Sequence, residues 1–305
     1  METILVNKLP TRTWNRLGVN ETALLWGEAG AVDGGTGVQS ASKEQVLEYL
    51  GGVEDVLDDM WPDLIMLQEA DVDSTRTYHI DESALLAPSQ SLHALNYSCG
   101  FVPYPMPPIG SVHSGLFTTT DYKIDSAERI SLPSPFKWPV STANLKRCLL
   151  VSYLPIDGSD KQLVLVNLHL EAYDDGEGKI AQTNQLRDFI TSEYEKGNYV
   201  IAGGDFNQVF PGSLDIYPII DPELWTPGVL DENLLPDGWT LAYDLDTPSC
   251  RLLNQPYDKE DENTQHYVID GFILSPNVEL TVVQTLGLDF GSSDHNPVFI
   301  NVKLK

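Results

Sequence analysis

Residues 201–208 read IAGGDFNQ, an apolar run and two glycines followed by Asp205 and, two positions on, Asn207. Side chains two apart on an extended chain share one face. A carboxylate and an amide would therefore stand together at the end of what reads as a buried strand. Gly, Asp and Asn also form turns, and read alone the octet fits a loop. Four other segments carry chemistry-bearing groups in the same setting. DLIMLQE ends in Gln68 and Glu69, LVLVNLHLEAY carries Asn167 and His169 on one side, YVIDGFILS encloses Asp270 in an apolar run, and GSSDHNPVFI sets Asp294 and His295 before a strand.

Each segment has a plain explanation by itself. Glu69 fits a solvated strand end, His169 a satisfied core histidine, Asp270 a turn cap, and Asp294-His295 an exposed turn. Charge buried without partners is costly, so Asp270 in particular needs a partner, and one shared pocket accounts for every segment at once. In such a pocket Glu69 and Asp294 supply hard oxygens suited to Mg²⁺, with Mn²⁺ the alternative. Two histidines supply proton transfer near neutral pH. Asn207 supplies amide hydrogens for an oxyanion. Cys99, Cys148 and Cys250 lack the spacing of a structural zinc site.

The elements that must position these groups are legible from periodicity. In residues 42–60, Val46, Leu50, Val53, Leu57 and Met60 recur at three-to-four spacing behind a capping Ser42, which predicts an amphipathic helix weakened by Gly51 and Gly52. A second helix is predicted over 179–195, with Ile180, Leu186, Phe189, Ile190 and Tyr194 as its apolar residues. Strands are expected at 63–67, 162–168, 199–203, 239–243, 267–274, 278–285 and 297–303. The strand, helix, strand order across 162–203 predicts a crossover unit. Residues 27–41, rich in Gly and Ala, and residues 254–266 read as loops, and 209–238 as an irregular excursion.

The chain has 305 residues, 42% hydrophobic and 21% charged, enough for a sizeable core. Its 45 acidic and 18 basic residues give a formal net charge of -27. Such a surface opposes nucleic-acid backbones and anionic membranes and favours solubility. Three sparse cysteines form no disulfide framework and point to reduced thiols in the cytoplasm. The N-terminus lacks a long apolar stretch and meets Pro10 early, so no secretory signal is expected, and no apolar run is long enough to span a membrane. The oligomeric state is not legible.

Taken in order, LIMLQE, VNLHLEAY, GGDFN, IDGFILS and SSDHNPV resemble the endonuclease/exonuclease/phosphatase superfamily, over residues 63–300. HSGLFTTTDYKI is similar to that family's paired-strand motif, without its usual serine and proline. The resemblance implies one α+β domain over 1–305, a four-layer α/β/β/α sandwich of two packed sheets flanked by helices, in the DNase-I-like manner. It also implies Mg²⁺-dependent phosphoester hydrolysis. Carried residue by residue, Glu69 matches the metal-binding glutamate and Asp294 a second acidic group at the metal. His169 matches the phosphate-stabilising histidine, which the abasic-site endonucleases lack. Asp205 and Asn207 match the pair that orients the nucleophile or leaving group and holds the phosphate, with the preceding glycines permitting close approach. Asp270 matches the orienter of the last histidine, and His295 the general base. The family's first-strand asparagine has two candidates, Asn15 and Asn20, with Pro10 upstream arguing against a regular strand there.

The charge favours a phosphorylated small molecule as substrate. The alternatives are a nuclease whose Arg129, Lys137, Lys146 and Arg147 gather into a basic patch, and a binding protein that keeps the fold without turnover. No hairpin of exposed aromatics supports a sphingomyelinase.

Overall fold

The computed structural model describes residues 41–86, 91–103, 108–137, 144–174, 176–254 and 258–305, together with the backbone of the short strands Glu2–Ile4, Glu21–Trp26, Val32–Asp33 and Gln39–Ser40. Asn15 and Asn20 lie outside the described residues.

Two mixed sheets form the body. One has seven strands in the order Glu2–Ile4, Ser126–Ser131, Cys148–Pro155, Gln162–His169, Tyr199–Asp205, Asp270–Leu274 and Thr240–Ala242. The other has six, in the order Val278–Thr285, Val298–Leu304, Glu21–Trp26, Leu64–Asp71, Gly110–Thr120 and Ser91–Val102. Each sheet contains one parallel pair whose crossover includes a helix. Gln162–His169 runs parallel to Tyr199–Asp205 through the helix Glu177–Glu195. Glu21–Trp26 runs parallel to Leu64–Asp71 through the helix Lys43–Met60.

Hydrophobic burial orders these layers. Leu64, Met66 and Leu116 of one sheet meet Leu150, Leu165, Ile201 and Phe272 of the other in a shared core. Leu186 and Ile190 seat the helix Glu177–Glu195 on the outer face of the seven-stranded sheet, against Val164, Val166 and Val200. Val46, Leu50, Val53 and Leu57 seat the helix Lys43–Met60 on the outer face of the other, against Leu67 and Phe117. Helix, sheet, sheet, helix is the arrangement that buries one apolar face per helix and two per sheet. Ser42 caps its helix in a reciprocal box with Gln45, and tertiary burial carries the helix through Gly51 and Gly52.

Three local expectations need correction. Ile180 is exposed, because the face set by Leu186 and Ile190 leaves it outside their stripe. The strand expected over 267–274 is two pieces: His266–Tyr267 pairs with Cys250–Arg251, and Asp270–Leu274 pairs with Tyr199–Asp205. Residues 27–41 include the paired segments Val32–Asp33 and Gln39–Ser40 rather than loop alone.

Where the two sheets meet near the site, polar groups replace the apolar core. The register of Leu64–Asp71 against Gly110–Thr120 breaks between Leu67 and Ala70, and Glu69 within the break has φ 58°. A bulge withdraws backbone groups from the ladder. Asn167, on the opposite sheet, meets them. Its Nδ2 donates to Leu67 O at 3.2 Å and Phe117 O at 2.9 Å, and its Oδ1 accepts from Gln68 Nε2 at 2.8 Å. Replacing Asn167 by Leu strands several buried groups at once. Urea unfolding of Asn167→Leu is expected to show a loss of about 2–4 kcal/mol; a loss within error of zero would mean that water or backbone relaxation substitutes for the amide.

Glu82 is buried, with Oε2 accepting from Asp71 N at 2.7 Å and Oε1 without a hydrogen-bond partner among the described residues. Burial, with the Asp71 charge adding to it, pushes its carboxyl up from 4.5 to about 8. The protonated form is therefore favoured by folding, and its stabilising share is complete below pH 4.5 and lost as pH rises through about 8. Glu82→Gln is expected to flatten the fall of unfolding free energy between those limits. Parallel pH profiles for the two proteins would assign the fall to another group.

Candidate active site

One cavity of about 400 Å³ opens at the end of both sheets, and Glu69, His169, Asp205, Asn207, Asp294 and His295 all line it. Asp270 stands behind His295. The structure thus brings together every described residue expected from the sequence.

Glu69 reaches the cavity because its left-handed backbone re-aims the side chain at the bulge. That conformation costs a non-glycine residue of order 1–2 kcal/mol and concentrates at functional sites. Its Oε1 lies 3.7 Å from His169 Nδ1. His169 closes its strand beside Asp205 in the parallel pairing, with Nε2 3.4 Å from Asp205 Oδ2. Burial and the neighbouring Arg147 push the His169 imidazole down to about 3, so it is neutral at pH 7 despite two adjacent carboxylates.

Asp205 and Asn207 do sit together, though not by strand alternation. The strand ends at Asp205, and Asn207 adopts φ 49°. Asp205 Oδ1 accepts from Asn207 N at 2.7 Å, and Asn207 Nδ2 donates to Asp205 Oδ2 at 3.1 Å and Leu170 O at 2.9 Å. Asn207 therefore holds Asp205 in place. The need for glycine at Gly204 also has a source in the sheet. Its φ is 149°, and a Cβ there would lie 1.9 Å from Leu168 O on the adjacent strand.

Asp205 is the register partner of Asp270 across antiparallel strands. Burial and the Asp270 charge raise its carboxyl from 3.8 to about 7. Asp270 is satisfied from two sides. Its Oδ2 accepts from Ser249 Oγ at 2.7 Å and lies 2.8 Å from His295 Nδ1. Ser249 Oγ also accepts from Ile269 N and Asp270 N, which fixes the carboxylate against its own backbone. Burial works to lower the His295 pKa, but Asp270, together with Cys250 and Asp294, outweighs it and raises the imidazole well above 6.5.

The turn carrying Asp294 and His295 is pinned by segment 249–251. Cys250 and His295 form an antiparallel bridge, Arg251 N donates to Asp294 O at 3.0 Å, and Asn296 N donates to Ser249 O at 2.8 Å. Asp294 is raised by burial, with His295 opposing and the Glu69 charge reinforcing.

Two arginines in the cavity wall were not legible as site residues. Arg147 is buried, with Nη1 donating to His169 O and Nε 3.6 Å from Glu171 Oε2. Arg251 is buried beside Asp294. Arg147 is expected from the sequence only as a member of a basic patch and Arg251 is not singled out, since only the fold turns them inward. Tyr173, Trp225 and Leu253 also line the cavity, with Trp225 Nε1 donating to Ala172 O.

Three carboxylates, Glu69, Asp205 and Asp294, thus share one cavity with two arginines, one of them paired with Glu171. The carboxyls of Asp205 and Asp294 are held above their usual range. A hard divalent cation suits this oxygen-rich donor set and relieves its repulsion. Glu69 and Asp294, the two acidic groups expected from the sequence to hold one, both line the cavity.

No protein-family model matches the chain, and no curated protein sequence matches it. Solved structures do. An endonuclease/exonuclease/phosphatase from Beutenbergia cavernae is 16% identical with a TM-score of 0.65, over 93% of this chain and 72% of that one. The human Nocturnin catalytic domain, solved with a bound sulfate anion, is 17% identical with a TM-score of 0.58, over 94% of each chain. TDP2 of D. rerio, solved with a single-strand DNA product, is 16% identical with a TM-score of 0.55, over 94% of this chain and all of that one. The chain has the endonuclease/exonuclease/phosphatase fold, the DNase-I-like α+β sandwich that its motifs resemble.

Magnesium is expected to raise the melting temperature of the native chain by mass action. Glu69→Gln and Asp294→Asn are each expected to remove most of that rise in a thermal shift assay. An undiminished rise in both variants would place the cation elsewhere.

Proposed function

We propose that this protein is a divalent-cation-dependent phosphoesterase acting on a small phosphorylated substrate. The observation that carries the reading is the Asp270–His295 pair. A buried carboxylate, itself fixed by Ser249, holds an imidazole nitrogen at 2.8 Å in the wall of a cavity lined by two arginines. A base oriented by a third group is the recurring arrangement for activating a nucleophile.

With Nδ1 committed to Asp270, proton exchange falls to Nε2 of His295. There it accepts a proton from water as the water oxygen bonds to phosphorus and the ester P–O bond opposite breaks. Arg147 and Arg251 supply positive charge for the phosphoryl oxygens. The neutral His169 donates one N–H, and Asn207 keeps Asp205 aimed at the reacting group. When bound by Glu69 and Asp294, the cation would neutralise both carboxylates, polarise the phosphoryl oxygens and weaken the negative field that keeps His295 protonated.

Two observations support a small substrate over a nucleic acid. The net charge is -27. The basic patch is also largely spent: Arg147 is buried, and Arg129 donates to Leu95 O, Lys146 O and Ser131 Oγ, leaving Lys137 and Lys146 as its exposed members. The nuclease reading keeps one argument, the likeness to a TDP2 solved with a single-strand DNA product. No helix among the described residues is long and apolar enough to cross a membrane. The free thiols of Cys99, Cys148 and Cys250 suit a reducing compartment such as the cytoplasm.

Hydrolysis of nucleotides, inositol phosphates, phospholipids and single-stranded DNA, assayed with Mg²⁺ or Mn²⁺, tests the proposal, with Asp205→Ala as the inactive control. On the substrate so found, His295→Ala and Asp270→Asn are expected to lower kcat by about 10²–10⁴ while KM changes little. Full activity in Asp270→Asn would make the pair structural. Turnover of DNA alone would favour the nuclease.

A further inference from the structure

The wall of this cavity contains a thiol that the phosphoesterase reading does not use. Cys250 is buried, and its sulfur, a carboxylate oxygen of Asp294 and a ring nitrogen of His295 lie within 4.8 Å of one another. No spacing rule exposes such a set, because Cys250 is distant in sequence from the other two. The backbone bridge between Cys250 and His295, with the Arg251 N to Asp294 O bond, brings the three together and holds them there.

We infer that Cys250, Asp294 and His295 form a binding site for a thiophilic divalent cation, zinc being the type case. Sulfur, nitrogen and oxygen donors in one set match the ligand preferences of zinc and suit neither magnesium nor calcium. Zinc bonds of about 2.0–2.3 Å place tetrahedral donors roughly 3.4–3.8 Å apart, so the observed spread closes with small side-chain movements. Asp270 serves the arrangement as an outer carboxylate. By holding His295 Nδ1 it directs Nε2 to the metal, the pattern that orients ligating histidines generally. Three protein ligands leave a fourth position open toward the cavity.

The binding step balances simply. Zinc bonds the sulfur and Nε2 of His295, the thiol proton and the Nε2 proton of the imidazolium leave to solvent, and no oxidant is needed. Burial pushes the Cys250 thiol up to about 12, so in the absence of a thiophilic ion it stays protonated and inert at neutral pH. The two cation positions share Asp294 but differ in chemistry: the oxygen set Glu69 and Asp294 favours a hard ion, and the set with Cys250 and His295 a soft one. Occupation of the second set ties up the Nε2 lone pair of His295. If the phosphoesterase reading holds, zinc is therefore an inhibitor of the hydrolysis that magnesium supports.

Cobalt(II) titration of the chelator-treated full chain tests the site without a substrate. A near-ultraviolet sulfur-to-cobalt charge-transfer band is expected in the native protein. It should persist in excess magnesium and disappear on adding one equivalent of zinc. The band should be absent in Cys250→Ser and in Cys250→Ala, and retained in Cys99→Ser. Asp270→Asn should keep the band while weakening zinc affinity by about 10–100-fold, which calorimetry reads. Thermal unfolding of each variant separates loss of the site from loss of the fold. A missing band in the native protein, or a band that survives in a folded Cys250 variant, would overturn the proposal. Zinc inhibition of a magnesium-supported reaction, relieved in Cys250→Ser, is the separate kinetic arm. Its failure with the band intact would count against the catalytic reading of His295 and leave the metal site standing.

Discussion

The carboxamide of Asn167 spans the two sheets, and the site depends on that span. Glu69 belongs to one sheet, whereas His169, Asp205 and Asp270 belong to the other. Apolar packing holds two sheets together without specifying how their ends align, because it is non-directional. Hydrogen bonds from Asn167 to Leu67 O and Phe117 O, and from Gln68 to Asn167, are directional and buried. They also satisfy backbone that the bulge takes out of the ladder, and the bulge is what turns Glu69 into the cavity. One amide thus couples the position of a proposed cation ligand to the strand that carries His169.

Electrostatics sets the second constraint. The cavity holds more carboxylates than its arginines can balance, and the protein meets the cost with specific hydrogen bonds: Asn207 and its backbone on Asp205, Ser249 and His295 on Asp270. Burial, with repulsion from neighbouring carboxylates added to it, raises the carboxyls of Asp205 and Asp294. An environment of this kind is poised for positive charge. Which charge it takes depends on donor chemistry, hard at Glu69 and softer at Cys250 and His295.

The same reasoning separates local order from global charge. A chain of -27 repels polyanions at long range, yet buries Arg147 and Arg251 where a single phosphoryl group could meet them. The long-range field is screened beyond about 8 Å at physiological salt, whereas the arginines act at contact. An acidic surface and a phosphate pocket are therefore compatible.

The sequence by itself determined the main elements and most of the polar segments that meet at the cavity. The helix capped by Ser42, the crossover from Gln162 to Asp205, and the polar strand ends at His169 and Asp205 follow from periodicity, capping chemistry and the cost of buried charge, all of which act over a few residues. Glu69, expected at a strand end, lies instead at a bulge inside the strand Leu64–Asp71. Tertiary structure decided the rest. The left-handed turn at Glu69 is a conformation that side-chain type does not announce, and it exists because surrounding pairing over-determines it. The inward turn of Arg147, the capping of the bulge by Asn167, and the meeting of Cys250 with His295 depend on strands distant in the chain coming into register. Residue types and local spacing set what each segment can do, while long-range pairing sets which groups touch, and the chemistry of a site is a property of contacts.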